Sequence, residues 1–288
     1  MTGLRRVVRW TVATLLASGL AVGAAAPSGL AAATGGAPAP LAYPLHLTAD
    51  EVTVDNTGSS LVATGHVRVT YGADVATSDS LRLTRGARTA ELSGHVTIVG
   101  PEGQAAADHV TLDLSAENEV TRVTLVGGAG VQTPQYALSA DSIQADRPAG
   151  RLVADGHVTA FSAPDLIING GRLVYNQRDE YGVITGQPVI ANKAGRMQGD
   201  WIELFRKDNR ATVHGPVRAD VYGATVTSDN ATVDFTTAVA VLTGRVVMVR
   251  SQGTLWADRV TIYYATRRMI AVGTTKVHFN NLGDATNP

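Results

Sequence analysis

The chain has 288 residues, of which 44% are hydrophobic and only 5% aromatic, and its formal net charge at pH 7 is −1. This length permits a sizeable core, and the composition predicts a core that is aliphatic and rich in small side chains. The near-neutral charge argues against nucleic acid as a partner, because a nucleic-acid-binding surface needs a basic stripe. The chain has no cysteine, which excludes a disulfide scaffold, thiol catalysis and thiolate metal sites.

The N-terminus has the pattern of an export signal. Arg5, Arg6 and Arg9 precede an apolar run at residues 10–26, and three alanines follow at 31–33. Basic, apolar and small residues in that order predict a cleaved signal peptide at residues 1–33. Residues 34–44 then form a short linker rich in proline and glycine. An uncleaved inner-membrane anchor is the alternative, because the apolar run is close to the shortest length that spans a bilayer.

From residue 50 onward the sequence repeats itself eight times, with a period of about 29 residues. The first residues of the units are Asp50, Asp79, Asp108, Asp141, Gly171, Asp200, Asp229 and Asp258. Each unit also contains a glycine, which follows its first residue by 15 positions in seven of the eight units. These glycines are Gly65, Gly94, Gly127, Gly156, Gly186, Gly215, Gly244 and Gly273. Repetition on this scale predicts one supersecondary unit that is copied and stacked until a shared core is buried.

Each unit contains two runs in which apolar and polar residues alternate. Val52 and Val54 alternate with Glu51 and Thr53, and the same pattern surrounds the glycines. A period of two indicates strands with one buried face, and turn-forming residues separate the runs. The sequence therefore predicts an all-β fold of about sixteen antiparallel strands, in eight two-stranded repeats. The repeat glycines are expected to face inward at mid-strand and to mark bends or bulges where the sheet coils.

Residues that could support chemistry are scarce. The repeat aspartates are expected to accept backbone N–H bonds at the edges of turns. His66, His95 and His157 occupy the same place in their units, and a metal bound between the first two is an alternative to a role as surface histidines. No nucleophile elbow, phosphate-binding loop or zinc signature is present. The sequence therefore predicts no catalytic residue, no metal, no cofactor and no enzymatic activity.

One family has this combination of features. The pattern (Ala/Ser)-Asp-x-Val-x-Val followed by Ala-x-Gly-x-Val begins with LTADEV at 47–52, after a signal peptide. It resembles the LptA/OstA family of periplasmic lipopolysaccharide-transport proteins. The resemblance covers roughly residues 45–279, and it implies one domain at 45–280 followed by a flexible tail at 281–288. It also implies that the strands form an open antiparallel β-jelly roll.

The resemblance further implies a function. The chain would be a periplasmic bridge protein that shields the acyl chains of lipopolysaccharide and carries them from the inner to the outer membrane. Its partners would be the lipid A acyl chains, LptC-like and LptD-like proteins at the two membranes, and further copies joined head to tail, but no nucleic acid. The residues expected to face the lipid are Val52, Val54, Leu61, Val67, Val69, Leu81, Leu83, Leu92, Val96, Ile98, Leu112, Leu152, Val158, Leu173, Ile202, Leu204, Val213, Val217, Leu242, Val246, Met248, Val260 and Ile262.

Three alternatives remain open from the sequence. The inward set could form the dry core of any two-layer β protein. The chain could be an LptC-like component of the same pathway that keeps its N-terminal anchor. It could also be an exported structural β-solenoid that binds polysaccharide on its outer face, although that face shows mixed Thr, Arg, His and Glu residues where aromatic or carboxylate ladders would be expected.

Overall fold

The computed structural model describes residues 45–101, 103–116, 120–162 and 165–280. The predicted signal peptide, linker and C-terminal tail lie outside the described residues. Twenty strands occur in the described residues, and they belong to one antiparallel sheet that is consistent with an open β-jelly roll. The predicted all-β fold is therefore confirmed. No helix in these ranges is long and apolar enough to cross a membrane.

The described residues fall into two compact units, 45–156 and 157–280, with the division inside the ninth strand. The first nine strands are β1 (Leu45–Thr48), β2 (Glu51–Val54), β3 (Ser60–Tyr71), β4 (Asp74–Thr84), β5 (Thr89–Gly100), β6 (Gly103–Leu114), β7 (Val120–Gln132), β8 (Tyr136–Asp146) and β9 (Arg151–Ser162). The others are β10 (Leu166–Asn176), β11 (Tyr181–Thr185), β12 (Val189–Asn192), β13 (Gly195–Gln198), β14 (Trp201–Phe205), β15 (Arg210–Val221), β16 (Ala224–Asp234), β17 (Val239–Arg250), β18 (Gly253–Tyr263), β19 (Arg268–Val272) and β20 (Lys276–Phe279).

The number of strands differs from the predicted sixteen because four of the predicted strands are each split in two. The four pairs are β1 and β2, β11 and β12, β13 and β14, and β19 and β20. Each split lies at the repeat aspartate or glycine, where the pattern of alternation in the sequence continues but the backbone turns. Between β11 and β12 the split also contains Pro188, which has no N–H to donate to a neighbouring strand.

A β-bulge lies at the repeat glycine of each long strand for which the register is known on both sides. In β3, Thr64 pairs with Ser80 and Val67 pairs with Ser78, so two residues of β3 face one residue of β4. The two bulge residues, Gly65 and His66, have φ angles of 76° and 47°. Such a bulge bends the strand. The prediction of a bend at the glycines is therefore confirmed.

The repeat aspartate explains why the bulge needs glycine. A methyl group placed on Gly94 would lie 2.1 Å from Oδ2 of Asp79, and the distances at the other six Asp–Gly pairs are between 2.0 and 2.4 Å. At Gly65 this neighbour is Asp50, whose side chain is 64% exposed. The expectation that the glycines face the apolar interior is therefore wrong, because the bulge turns their vacant side toward an exposed carboxylate. We call each Asp–Gly pair a corner, and we use the same name for the pair Gly171–Gly186, in which a glycine takes the place of the aspartate.

In the second unit the corners divide the sheet into two layers. The first layer contains β11, β14, β19 and residues 210–214, 230–234, 239–243 and 259–263. The second layer contains β12, β13, β20 and residues 217–221, 224–228, 246–250 and 253–257. The long strands β15 to β18 pass from one layer to the other at a corner. We call the side opposite the corners, where the hairpin turns of the two layers lie, the mouth.

The strands at the two ends of the described sequence pair on one side only. Within the described residues, β1 and β2 pair with β3, and β19 and β20 pair with β18. Each of these strands has four or five residues. Backbone groups on their other side are available for strand addition.

Candidate functional site

Most of the residues predicted to face the lipid are buried in the apolar interior. Seventeen of the 23 are buried, namely Val67, Val69, Leu81, Leu92, Val96, Ile98, Leu112, Val158, Leu173, Ile202, Val213, Val217, Leu242, Val246, Met248, Val260 and Ile262. They lie on both sides of the corners, as Leu92 and Val96 do in β5. The period-two pattern therefore identified the interior face, although burial alone does not distinguish a dry core from a lipid-binding trough.

The remaining six predicted residues lie nearer to solvent. Leu61, Leu83, Leu152 and Leu204 are half-buried. Val52 and Val54 are 47% and 54% exposed. Because Val52 pairs with Ala63 and Val54 with Leu61, these valines share the interior face, but they lie on an outermost strand that leaves them uncovered.

Sequence reasoning also missed part of the interior. Leu125, Ile143 and Ile184 are fully buried, and many alanines, such as Ala63 and Ala90, are buried as well. Leu125, Ile143 and Ile184 lie in alternating runs, so the period-two pattern could have found them. The alanines gave no comparable signal, since a small side chain is common at exposed positions too.

An apolar cleft opens between the two layers of the second unit. Its cavity volume is about 60 Å³, and its walls include Met197 and Val221 from one layer and Val233, Ala240 and Ile262 from the other. Residues from both layers therefore face the same space. A cleft lined by aliphatic side chains offers non-directional shelter for an apolar ligand.

A second apolar cleft lies beside the last strands. Its cavity volume is about 280 Å³, and it is lined by Met248, Leu255, Met269, Val277 and Phe279, among others. Val277 and Phe279 belong to the outermost strand β20 and are 46% and 57% exposed. The apolar lining thus reaches an open edge of the sheet. We call the two clefts together the apolar trough of the second unit.

The corner histidines are paired with their own aspartates. Nδ1 of His66 lies 2.8 Å from Oδ2 of Asp50, and Nδ1 of His95 lies 3.0 Å from Oδ2 of Asp79. The hydrogen bond to Asp50, and then the charge of that carboxylate, raise the pKa of His66. No group of three or more His, Cys, Asp or Glu side chains in the described residues is placed to hold a metal ion. The geometry therefore assigns these histidines to Asp–His pairs on the surface.

The corner aspartates do more than the sequence predicted. Asp258 accepts the backbone N–H of Thr274 at 2.8 Å, which is the expected turn contact. Asp229 instead holds the guanidinium of Arg245 at 2.6 Å, and this pairing lowers the pKa of the carboxyl group. All seven aspartates fill the space beside a glycine. Their main role is therefore to shape the corner.

The outer face of the second unit carries one aromatic cluster that the sequence did not reveal. Trp201 stacks on His214 with ring centres 3.8 Å apart. Glu203 accepts a hydrogen bond from the Tyr181 hydroxyl at 2.6 Å, and its other oxygen lies 2.8 Å from Nε2 of His214. Burial tends to raise the pKa of Glu203, but these hydrogen bonds outweigh it and lower the pKa, while they raise that of Tyr181 to about 12. Both oxygens of the carboxylate are thus already engaged within the protein.

These features define an antiparallel β-jelly roll whose layers enclose an apolar trough. The model of the family described as "LptA/(LptD N-terminal domain) LPS transport protein" matches residues 46–210 and 225–287. The chain therefore belongs to this family of lipopolysaccharide-transport proteins, and the resemblance drawn from the repeats is confirmed.

Comparisons with solved structures and with curated proteins add little to the family assignment. Among solved structures, the chain is similar to LptH from Pseudomonas aeruginosa, described as the LptA-homologous periplasmic component of the conserved lipopolysaccharide transport device. The identity is 17%, the match covers 50% of this chain and 83% of that one, and the TM-score is 0.28. This likeness is too distant to add to the family assignment. A comparison with curated proteins finds no match.

Proposed function

We propose that this chain is a periplasmic, non-enzymatic protein that shelters the acyl chains of lipopolysaccharide in its apolar interior during passage between the inner and outer membranes. The observation that supports the proposal best is the apolar trough of the second unit. Its walls carry methionine and aliphatic side chains from two facing layers, and it reaches the outermost strand β20. A dry core would have no reason to continue to an exposed edge.

The energetic requirement matches such a trough. Each methylene group left in water costs about 0.8 kcal/mol, so a chain of about ten methylenes needs roughly 8 kcal/mol of shelter. Aliphatic walls provide this shelter without directional bonds, so a lipid can slide along them. Methionine side chains such as Met197 and Met248 are flexible and adapt to irregular ligands.

The outermost strands support the bridging part of the proposal. β2 at one end and β20 at the other have one unpaired side within the described residues, and Val52, Val54, Val277 and Phe279 are about half exposed there. Strand addition at such edges would join copies head to tail, or join this chain to LptC-like and LptD-like proteins. The apolar side chains on these strands would then extend the trough across each junction.

Binding of matched ligands tests the acyl-chain proposal. The purified mature chain is titrated with lipopolysaccharide and with the same material after removal of its acyl chains. We expect binding of the acylated form only, because the apolar walls recognise methylene groups. Equal binding of the deacylated form would contradict the proposal and favour a polysaccharide-binding surface.

Two variants on one strand provide the matched control. Met248 lines the trough, whereas Val249 is 47% exposed on the other face of β17. Met248→Gln places an amide in the trough at nearly constant volume and should weaken binding of the acylated ligand about tenfold. Val249→Gln should leave it unchanged. Equal losses in both variants would show that the trough does not hold the acyl chains.

A further inference from the structure

A polar cleft lies at the mouth of the second unit, where the hairpin turns of the two layers approach each other. Its cavity volume is about 500 Å³. Its walls include Lys193 from the turn between β12 and β13, Asn209 from the turn between β14 and β15, and Arg267 from the turn between β18 and β19. Both layers therefore contribute polar side chains to this cleft.

This polar cleft shares a wall with the apolar cleft between the layers. Four residues line both, namely Asn192, Ala194, Phe235 and Tyr264. The two clefts are therefore adjacent, so a molecule with an apolar tail between the layers could place its polar end at the mouth. The arrangement fits an amphiphile, with each part of the ligand in a matching environment.

The mouth carries two cations that have no ion-pair partner in the described part of the chain. Lys193 and Arg267 both line the cleft, and neither has a carboxylate within ion-pair distance. By contrast, Arg122, Arg196 and Arg245 are each held by an aspartate at a distance between 2.6 and 3.1 Å. Unpaired cations beside an apolar cleft attract an anionic ligand group, because charge-assisted hydrogen bonds are among the stronger polar contacts.

The one carboxylate that lines the cleft has a positioning role. Oδ2 of Asp165 accepts the backbone N–H of Lys193 at 3.3 Å, so it holds the turn and leaves the ammonium group at the end of a flexible side chain. On the other side of the cleft, the guanidinium of Arg267 lies 5.5 Å from the centre of the Tyr222 ring. This cation–π contact orients the guanidinium at the mouth.

A hydrogen bond also bridges the two layers at the mouth. The Tyr222 hydroxyl, from a turn of the second layer, donates a hydrogen bond to the backbone carbonyl of Tyr264, from a turn of the first layer. The Tyr264 hydroxyl donates to the carbonyl of Asp234 at 3.1 Å, within its own layer. The tyrosine hydroxyls are thus engaged in the protein, and Lys193 and Arg267 are the cationic side chains among the described lining residues.

We propose that the mouth of the second unit is a binding site for the phosphate-bearing headgroup of a lipid whose acyl chain occupies the adjoining apolar cleft, with Lys193 and Arg267 as the phosphate-binding residues. This inference rests on the proposed function, which supplies the acylated ligand. The apolar trough by itself recognises only the acyl chains of a ligand, and the mouth would add recognition of its phosphate group. The lipid is thereby held in one orientation, with its head at the mouth.

The test compares two lipids that differ only in phosphate. The mature chain is titrated with lipid A that carries its phosphates and with the same lipid A after enzymatic removal of them. The variant K193Q/R267Q removes both cations. Its control, K207Q/R268Q, removes the same charge from two exposed residues that do not line the cleft, one in the turn after β14 and one at the start of β19. Thermal unfolding of both variants verifies that they are folded.

We expect K193Q/R267Q to lose about tenfold in affinity for phosphorylated lipid A and to bind the dephosphorylated form like the wild type. K207Q/R268Q should bind both lipids unchanged. Equal losses for the two lipids, or no loss for phosphorylated lipid A, would overturn the headgroup site. Failure of the wild type to bind either lipid would instead contradict the proposed function.

Discussion

The two edges at which the layers of the second unit meet are built in different ways. At the corner edge the strands β15 to β18 run from one layer into the other, and aspartates such as Asp229 fill the space beside glycines such as Gly244. At the mouth edge separate turns face each other, and the described hydrogen bond that bridges them runs from Tyr222 to Tyr264. The corner thus joins the two layers through contacts on its solvent-facing side. These contacts do not occupy the apolar interior or the mouth, where a ligand could bind.

The largest expected effect is a loss of stability on replacing a glycine, and it should be greater for a glycine at a corner than for one in a turn at the mouth. Gly244 and Gly223 have similar φ angles, 79° and 73°, but a methyl group on Gly244 would lie 2.4 Å from Asp229 Oδ2, whereas nothing lies within 4 Å of one on Gly223. Gly223→Ala should lower the free energy of unfolding by about 1 kcal/mol through backbone strain alone. Gly244→Ala should lower it by about 3 kcal/mol, because overlap is added to strain. Urea unfolding measures both, and equal losses would show that the aspartate does not shape the corner.

The one corner without aspartate gives the next prediction. A methyl group on Gly171 would lie 3.3 Å from the Cα atom of Gly186, and one on Gly186 would lie 2.8 Å from the Cα atom of Gly171. Gly171→Asp restores the residue found in the other repeats, yet it should lower the free energy of unfolding by about 1–2 kcal/mol through crowding. Gly171→Ala should lower it similarly. A stabilised Gly171→Asp variant would mean that this corner can open to the same geometry as the others.

At the mouth, the two tyrosines offer a matched pair of hydroxyl deletions. Each of Tyr222→Phe and Tyr264→Phe removes one hydrogen bond and should lower the free energy of unfolding by about 1 kcal/mol. Only Tyr222→Phe removes the bridge between layers. Spin labels at positions 207 and 223, on turns of the two layers, report the distance across the mouth. The distribution of this distance should therefore be broader in Tyr222→Phe than in the wild type, and unchanged in Tyr264→Phe. Identical distributions would show that this bond does not set the width of the mouth.

The smallest effect belongs to the exposed Asp–His pairs at the corners. The Asp50 carboxylate raises the pKa of His66 above its ordinary value of 6.5. Because the pKa is higher in the folded state than in the unfolded state, the protonated ring stabilises the fold below pH 6.5, and this contribution is lost as the pH rises through the folded pKa. We expect the difference in free energy of unfolding between the wild type and His66→Gln to become smaller as the pH is raised from 5 to 9. The titration of His66 can be followed by NMR in the wild type and in Asp50→Asn. If the pKa of His66 is the same in both, Asp50 and His66 are not paired.

Several parts of this architecture could be predicted from the sequence. The repeat and the period of two gave the all-β fold, the bends at the glycines and most of the interior residues, because both depend on local alternation and on backbone freedom. The side to which Gly65 points could not be predicted, since one inserted bulge residue changes which way a strand position faces. The exposure of Val52 and Val54 depends on their place in an outermost strand, which alternation does not report.

The mouth was beyond sequence reasoning for a different reason. Tyr222 and Tyr264 are 42 residues apart, and Lys193 and Arg267 are farther apart still. None of the four belongs to the repeat pattern, and each lies in or beside a turn, where a polar residue is unremarkable. Only the stacking of two layers places them around one cleft. The aromatic cluster at Trp201 and His214 likewise arises from pairing between strands.

The placement of the methionines allows the most direct test of lipid contact. Met1 belongs to the predicted signal peptide, and the other three, Met197, Met248 and Met269, all line the apolar trough of the second unit. The mature chain is produced with photo-methionine, mixed with lipopolysaccharide, irradiated and digested, and the adducts are located by mass spectrometry. A control carries M197L, M248L, M269L and V249M, which moves the photoreactive group to the outer face of β17. The trough account predicts lipid adducts at positions 197, 248 and 269 and none at 249. Absence of adducts at all three in a folded protein, or equal labelling at 249, would contradict it.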